Sequence, residues 1–161
     1  MPRIDLSSAG VGVYYAVETT AGTTPTTGYT KLTGISAIPD INPEPSSLDS
    51  TTLDETEWKS YIPGLKDPGG ALAFTANNTE QFQTEWAALV TAAENGAATE
   101  GGALATWFAV IVPGLTKAFF FSGDPSPLGL SGVDVDSVLT VDAYITPTNI
   151  TGWNAKPTVG Q

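Results

Sequence analysis

Apolar and polar residues alternate along much of this chain, which is the pattern of β-strands whose two faces meet different surroundings. Residues 12–18 (Gly-Val-Tyr-Tyr-Ala-Val-Glu) alternate first, and residues 29–38 resume the alternation after a loop rich in Thr, Gly and Pro. These two segments predict a hairpin with a long polar tip. Residues 71–76 (Ala-Leu-Ala-Phe-Thr-Ala) predict a third strand.

The second half of the chain predicts a buried strand pair. Residues 104–112 are bulky on both faces, which is typical of a strand covered on both sides. Pro113-Gly114 predict a type II turn, because proline suits its second position and glycine its third. Residues 117–122 (Lys-Ala-Phe-Phe-Phe-Ser) then return as the partner strand, with aromatic side chains on both faces.

The clearest alternation in the chain lies at residues 135–145. It predicts a strand with one apolar face and one polar face, and the polar face includes Asp136 and Asp142. Pro147 is expected to end this strand. Residues 147–161 then form a C-terminal tail, in which Trp153 is the natural anchor.

One segment changes to helical spacing. Residues 79–95 place four apolar side chains on one face: Phe82, Trp86, Leu89 and Ala93. Asn78 and Thr79 are rival N-caps, and Asn95-Gly96 are expected to end the helix. The apolar face predicts a lid over an open side of a β-core, with ligand stacking by Trp86 as the less favoured interpretation.

Residues 39–68 break the pattern. They hold five prolines and seven carboxylates against two lysines, and they predict a long irregular loop. Loops of this length in a compact domain are usually functional or disordered. Disorder fits poorly, because the segment also carries several large apolar side chains, and exposed groups of this size usually mark a partner surface. The hypothesis is therefore a segment that becomes ordered against another subunit.

Composition narrows the possible chemistry. The 161 residues suit a single domain of mainly β character. They carry a net charge of −11 and no cluster of basic residues, so the sequence gives no sign of binding to a nucleic-acid phosphate backbone. Histidine and cysteine are absent, which removes the usual general base, the thiolate nucleophile and the commonest metal ligands. The pair Asp134-x-Asp136 begins like a calcium loop but lacks its glycine. No catalytic, cofactor or metal residue is predicted, and the protein is not expected to be an enzyme.

The termini and apolar runs bear on location. The first residues, Met-Pro-Arg-Ile-Asp-Leu-Ser-Ser, contain no apolar core of a signal peptide, and no apolar run approaches membrane-spanning length. The chain is expected to be soluble, to have no membrane partner, and to be made in a cytoplasm.

The residues of the long loop carry a family resemblance. Residues 46–54 (Ser-Ser-Leu-Asp-Ser-Thr-Thr-Leu-Asp) and 61–69 (Tyr-Ile-Pro-Gly-Leu-Lys-Asp-Pro-Gly) resemble the long-loop signature of major tail tube proteins of long-tailed, siphovirus-type bacteriophages. The order of the other predicted elements fits the same family. The resemblance implies a β-sandwich or flattened barrel with one flanking helix and a long loop between its second and third strands.

The resemblance also implies a function in the virion. Such proteins form hexameric rings that stack into a hollow tail tube, through which DNA passes on ejection without specific binding. The loop 39–70 and terminal arms, here residues 1–10 and 147–161, would staple one ring to the next. The implied contact residues are Leu48, Asp49, Leu53, Trp58, Tyr61 and Leu65. The implied partners are other copies of the chain, the tape-measure protein, and the tail terminator and distal tail proteins.

Two alternatives stay open beside this interpretation. One is the tube protein of a contractile tail or secretion-type injection machine, which shares the fold. The other is a monomeric β-sandwich that binds carbohydrate, with Trp58, Trp107 or Trp153 as the platform. Within the tube interpretation, Asp136 and Asp142 are the candidates for lining the lumen, where acidic groups would keep DNA from adhering.

Overall fold

The structure is a computed structural model that describes residues 9–42, 44–67 and 69–159. The predicted N-terminal arm, residues 1–10, lies outside the described residues except at its last two positions. The chain divides into two compact units. Residues Asp40–Gly70 form one unit, hereafter the hairpin arm, and Met1–Pro39 with Ala71–Gln161 form the other, hereafter the barrel unit.

The described residues form one helix and nine strands, of which the helix and seven strands lie in the barrel unit and two strands in the hairpin arm. The elements in chain order are β1 Gly12–Val17, β2 Thr30–Leu32, β3 Ile35–Ala37, β4 Pro45–Asp49, β5 Tyr61–Lys66, β6 Leu72–Asn77, α1 Glu80–Ala97, β7 Thr106–Ile111, β8 Lys117–Pro125 and β9 Thr140–Ala155. Of these, β4 and β5 belong to the hairpin arm.

Seven strands of the described barrel unit form one antiparallel sheet in the order β2-β1-β7-β8-β9-β6-β3. The edge strands β2 and β3 are consecutive in the chain, with only Thr33 and Gly34 between them. Two residues span little more than 10 Å, so the sheet curls until its edges nearly meet. The result is the predicted flattened barrel with a flanking helix.

The predicted second strand, residues 29–38, is interrupted because the chain passes from one edge of the sheet to the other within it. The alternation of residues 29–38 is real, but Gly34 adopts a positive φ of 80° and turns the chain from one sheet edge to the other. β2 therefore pairs with β1, as the predicted hairpin requires, while β3 pairs with β6. A single continuous strand over 29–38 is wrong.

The sheet is buried on both faces at its centre. Phe108 and Phe121 stack on one face with ring centroids 5.2 Å apart, and Phe121 also stacks on Phe74. The opposite face carries a cluster that includes Trp107 and Phe120. The prediction that β7 is covered on both sides is confirmed, since five of its six residues are buried.

Helix α1 covers the first of these faces. Thr79 is the N-cap, and its hydroxyl accepts the Phe82 N–H at 3.1 Å. Phe82, Trp86 and Leu89 are buried, as the spacing predicts. The expected stop at Asn95-Gly96 is wrong, because α1 runs on to Ala97. Gly96 instead permits close packing: a Cβ there would lie 2.9 Å from Val17 Cγ1 and 3.0 Å from the Leu104 carbonyl oxygen.

The last strand differs from its prediction at both ends. Residues 135–139 are a loop, because β6 ends at Asn77 to begin the helix cap and leaves no strand to pair before Thr140. Pro147 does not end β9, since it lies opposite Gly123 at a register shift, beyond the last pair with β6, where a missing N–H is tolerated. The strand continues to Ala155, so the predicted tail is shorter than 147–161.

The segment after β9 closes over the second face. Val159 bridges Tyr29 in parallel, and the Thr158 N–H donates to the Thr26 carbonyl at 2.9 Å. Pro157 is buried. The anchors of this segment are therefore Pro157 and Val159, while Trp153 lies on β9 with about half of its surface exposed.

Candidate assembly surface

The hairpin arm is a folded unit and not the irregular loop that its prolines suggested. β4 and β5 pair antiparallel, with Leu48 opposite Ile62 and Asp49 opposite Tyr61, and the register shifts between Pro45 and Ser47. A hairpin of two strands, with neither a third strand nor a helix packed on it, is at best marginally stable on its own in water. An arm of this kind therefore gains from a surface that covers it.

Hydrogen bonds among polar groups order the tip of the arm. The Thr51 N–H donates to Asp49 Oδ1 at 2.9 Å, and the Ser60 N–H donates to the Thr51 hydroxyl at 3.0 Å. The Ser60 hydroxyl donates to Glu55 Oε1 at 2.6 Å. The side chain of Thr51, and less strongly its backbone N–H, lower the pKa of the exposed Asp49 carboxyl by hydrogen bonding. Asp49, one of the predicted contact residues, thus organises the arm itself.

The apolar side chains of the arm take no part in this network and face outward. Trp58 is 83% exposed, and Leu53 and Leu65 are more exposed still. Leu48, Tyr61 and Ile62 each expose about half of their surface. The structure thus collects the predicted contact residues on one small unit, whose apolar groups have no core of their own in the described chain. Their role in subunit contact stays a prediction.

A second exposed apolar segment was not predicted as a surface. The loop before β9 exposes five aliphatic side chains: Leu130, Val133, Val135, Val138 and Leu139. The alternation from residue 135 onward predicts a strand with a buried face. Within the described residues, Asp136 is the one non-glycine residue with positive φ, at 65°. Pro, Gly and Ser at residues 123–132 predict a loop there, and in the structure the loop continues to residue 139.

The two candidate lumen carboxylates do not share a strand face. Asp136 lies in this exposed loop, which corrects its expected place on the last strand. Asp142 lies on β9, where its Oδ1 accepts the Thr75 hydroxyl at 3.1 Å and its N–H donates to Ser131 Oγ. A role for either residue in a lumen remains a prediction.

Tryptophan placement bears on the carbohydrate alternative. Trp107 is buried and donates from Nε1 to Glu18 Oε1 at 2.7 Å, so it offers no platform. Trp86 is also buried and donates to the Ser126 carbonyl at 2.8 Å, which confirms core packing over ligand stacking. Trp153 packs edge-on against Phe119 with ring centroids 5.6 Å apart. Trp58 lies on the hairpin arm and is exposed, so burial does not exclude it as a platform.

Groups that could support catalysis or metal binding are sparse in the described chain. Across residues 9–42, 44–67 and 69–159, no cluster of three Asp or Glu side chains could hold a metal ion. The most unusual carboxylate, Glu18, is buried and accepts N–H groups from Trp107, Gly22 and Ala105. These bonds use both of its oxygens and connect β1 to the loop that follows it and to the residues at the start of β7. None of the described helices is long and apolar enough to cross a membrane.

Comparison with known proteins identifies the fold. The sequence matches no protein-family model, and no curated protein matches it significantly. A chain in the cryo-EM structure of the anti-feeding prophage cap, described as its tube-terminating cap, has a TM-score of 0.57 and 8% identity, covering 96% of this chain and 94% of that one. A chain in the 6-fold symmetrised cryo-EM structure of the anti-feeding prophage baseplate has a TM-score of 0.52 and 10% identity, covering 94% and 95%. At such identities the likeness establishes a shared fold.

Proposed function

We propose that this chain is a structural protein of a phage-tail-like injection apparatus, in which copies of it assemble into stacked rings that form a tube. The observation that carries the proposal is the hairpin arm. It is a separate β-hairpin of only two strands that exposes Leu53, Trp58 and Leu65. Such a unit is stabilised by docking on a neighbour, which is what the assembly of rings requires.

The rest of the chain supports an assembled state. The loop before β9 exposes a further five aliphatic side chains, so apolar surface is available at more than one place on the chain. Stacked rings need different patches toward different neighbours, because head-to-tail contacts are not self-complementary. A ring of six copies is the proposed unit, in line with the 6-fold symmetrised baseplate whose chain shares this fold.

The structural neighbours favour a contractile-type injection machine over a non-contractile tail. Both neighbours belong to the anti-feeding prophage, one in its baseplate and one in its tube-terminating cap. The second candidate is the tube of a siphovirus-type tail, which the sequence of the long loop at residues 46–54 and 61–69 resembles. A sheath protein encoded beside this chain, or sheath density around purified tubes, would select the first.

The charge of the chain suits a conduit. A net charge of −11 with only six basic residues repels nucleic acid, so DNA or another polyanion would pass without adhering. The proposed partners are further copies of the chain, a length-setting tape-measure protein, and the terminator and distal proteins at the tube ends. The proposed role is structural, with no reaction assigned to it.

Negative-stain electron microscopy of the purified protein over a range of concentrations tests the proposal. Rings or tubes are expected, and Trp58→Ala is expected to suppress them without changing the far-ultraviolet circular dichroism spectrum. Lys117→Ala, on a strand of the barrel unit, serves as the matched surface control. A chain that stays monomeric at high concentration and is retained on immobilised glycans would support the carbohydrate-binding alternative instead.

A further inference from the structure

A groove on the barrel unit has the shape and lining to take an apolar side chain. It has a volume of about 500 Å³ and lies between the loop after β1 and the end of β9. Its lining includes Thr24, Pro25, Thr26, Phe120, Lys156 and Pro157. Two prolines and the buried Phe120 contribute apolar surface to this lining, which suits an aromatic ring.

The walls of the groove are held in place by local contacts. The Tyr29 hydroxyl donates to the Pro25 carbonyl at 2.9 Å, and the Tyr29 ring packs edge-on against Phe120 with centroids 6.1 Å apart. The Thr158 N–H donates to the Thr26 carbonyl from the other side. The groove is therefore pre-formed, which lowers the conformational cost of binding.

The charge of the groove is opposite to that of the chain as a whole. None of its lining residues is acidic, and Lys156 is one of only six basic residues in the sequence. A second base stands on the same face of the sheet: Lys31, Tyr14, Ala109 and Phe120 follow one another in a cross-strand row. Lys31 is three strands from Phe120, roughly 14 Å along the sheet.

The tip of the hairpin arm has the complementary character. Asp54, Glu55 and Glu57 surround the exposed Leu53 and Trp58, with Lys59 as the only base in residues 50–60. An exposed tryptophan with neighbouring carboxylates fits an apolar groove that carries Lys156 in its lining, with Lys31 farther along the same sheet face. Opposite charges at the rim steer such an encounter and set its register, while the buried ring supplies most of the binding energy.

We propose that this groove is the receptor for the hairpin arm of a second copy of the chain, with Trp58 in the groove and Glu57 beside Lys156. The inference rests on the proposed function, because it names the surface on which the arm docks during assembly. A second groove, of about 450 Å³ beside α1, is lined by Gln83, Ala87, Val90, Leu128 and their neighbours. It carries no charged side chain, so it lacks the counter-charge that the acidic tip calls for.

Blocking and charge-swap variants of the full chain test the receptor. Ala155→Trp fills the groove and is expected to raise the critical concentration for assembly about thirtyfold, the loss of one aromatic hot spot. Ala87→Trp fills the second groove and is the matched control, expected to assemble as the wild type does. Lys156→Glu and Glu57→Lys are each expected to raise the critical concentration roughly fivefold, and their combination to restore it.

Crosslinking identifies the occupant directly, because the chain has no cysteine. Protein carrying Glu57→Cys is mixed with protein carrying Ala155→Cys and treated with a short bismaleimide. A crosslinked dimer is expected, while a mixture of Glu57→Cys with Ala87→Cys protein should give none. Crosslinking only within a chain that carries both cysteines would show that the arm fills its own groove, and would overturn the proposal.

The possible failures can be told apart. If Trp58→Ala prevents assembly while Ala155→Trp and Lys156→Glu assemble normally, the arm docks elsewhere; the receptor assignment then fails and the proposed function stands. If wild-type protein forms no rings or tubes and the mixture gives no crosslink, both fail. Circular dichroism of each variant excludes misfolding as the cause, and Lys156→Glu, an exposed change, keeps the test valid if Ala155→Trp does not fold.

Discussion

The backbone N–H and the hydroxyl of Thr33 both donate hydrogen bonds to the carboxylate of Glu85, each at 2.9 Å from Oε2. Thr33 lies between β2 and β3, where the two sheet edges approach each other, and Glu85 lies on α1. The helix therefore supplies the acceptor that the interrupted strand lacks. Gln81 Nε2 supports the same carboxylate at 3.3 Å. This contact ties the lid to the seam of the barrel.

Removal of this carboxylate should weaken the barrel. Glu85→Ala leaves the partly buried Thr33 N–H without its acceptor, and we expect the free energy of unfolding to fall by about 1–3 kcal/mol. Glu94→Ala, an exposed change on the same helix, should stay within about 0.5 kcal/mol of the wild type. Urea unfolding followed by circular dichroism measures both. Equal effects of the two substitutions would mean that the seam does not depend on Glu85.

The buried Glu18 predicts a pH-dependent contribution to stability. Burial alone would raise its pKa, but hydrogen bonds from Trp107 and from the N–H groups of Ala105 and Gly22 together lower the pKa below its ordinary 4.5. The ionised group therefore stabilises the fold above about pH 4.5, and this stabilisation is lost as the pH falls through the pKa of the folded state.

Comparison with Glu18→Gln isolates that contribution. The amide NH₂ of glutamine would face N–H donors, so we expect a loss of about 2 kcal/mol at pH 7. The difference from the wild type should shrink as the pH falls below 4.5 and through the lowered pKa of the folded state, because the wild-type carboxyl becomes protonated there. All other carboxylates are common to both proteins and cancel. A difference that stays constant down to the pH at which the wild type unfolds would contradict the assignment of an ionised Glu18.

Gly123 on β8 and Gly129 in the loop after it give a matched test of close packing. A Cβ at Gly123 would lie 2.7 Å from Ile145 Cγ2 and 2.8 Å from the Thr146 carbonyl oxygen, whereas nothing lies within 4 Å of a Cβ at Gly129. We expect Gly123→Ala to cost about 1–3 kcal/mol and Gly129→Ala to change the stability by less than about 0.5 kcal/mol. Thermal unfolding ranks the two. Similar midpoints would show that β9 can move away from Gly123 without penalty.

Local periodicity was sufficient to predict an element where the rest of the fold places a core against its apolar face. The face of α1 and the doubly buried β7 were predicted from spacing alone, because their apolar side chains meet a core. Residues 135–139 show the limit of this reasoning. Their alternation is as regular as that of Thr140 to Ile145, but a strand also needs a partner, and β6 ends where its partner would begin. Partner availability depends on distant parts of the chain, so the pattern alone does not show it.

The candidate site was predicted in its residues but not in its conformation. Large apolar side chains among prolines and acids indicated exposure, and Trp58 and Leu53 are exposed. The β-hairpin was missed because Pro, Gly and Asp disfavour strands, whereas the pairing of Leu48 with Ile62 depends on a partner strand more than ten residues away. The groove at Phe120 was invisible for a different reason: β8, β9 and the loop after β1 are far apart in sequence and meet only in the fold.

The hairpin arm should be removable without unfolding the barrel unit. It is inserted between β3 and β6, which are antiparallel neighbours with Ala37 opposite Thr75, so their ends lie close together. A Gly/Ser linker of about six residues in place of residues 40–70 is long enough to join them. We expect the shortened chain to keep its helix signal and a cooperative thermal transition, because the buried core lies outside the arm. It should remain monomeric by size-exclusion chromatography at concentrations at which the full chain assembles.

Limited proteolysis of the full chain provides the companion measurement. Cleavage within residues 50–60 should be fast in the monomer, where the tip is exposed, and strongly reduced after assembly, because docking covers it. A shortened chain that still forms tubes would remove the arm from the assembly contacts. A shortened chain that fails to fold would show that the barrel unit depends on the arm, since its remaining residues contain every buried hydrophobic side chain of the described core.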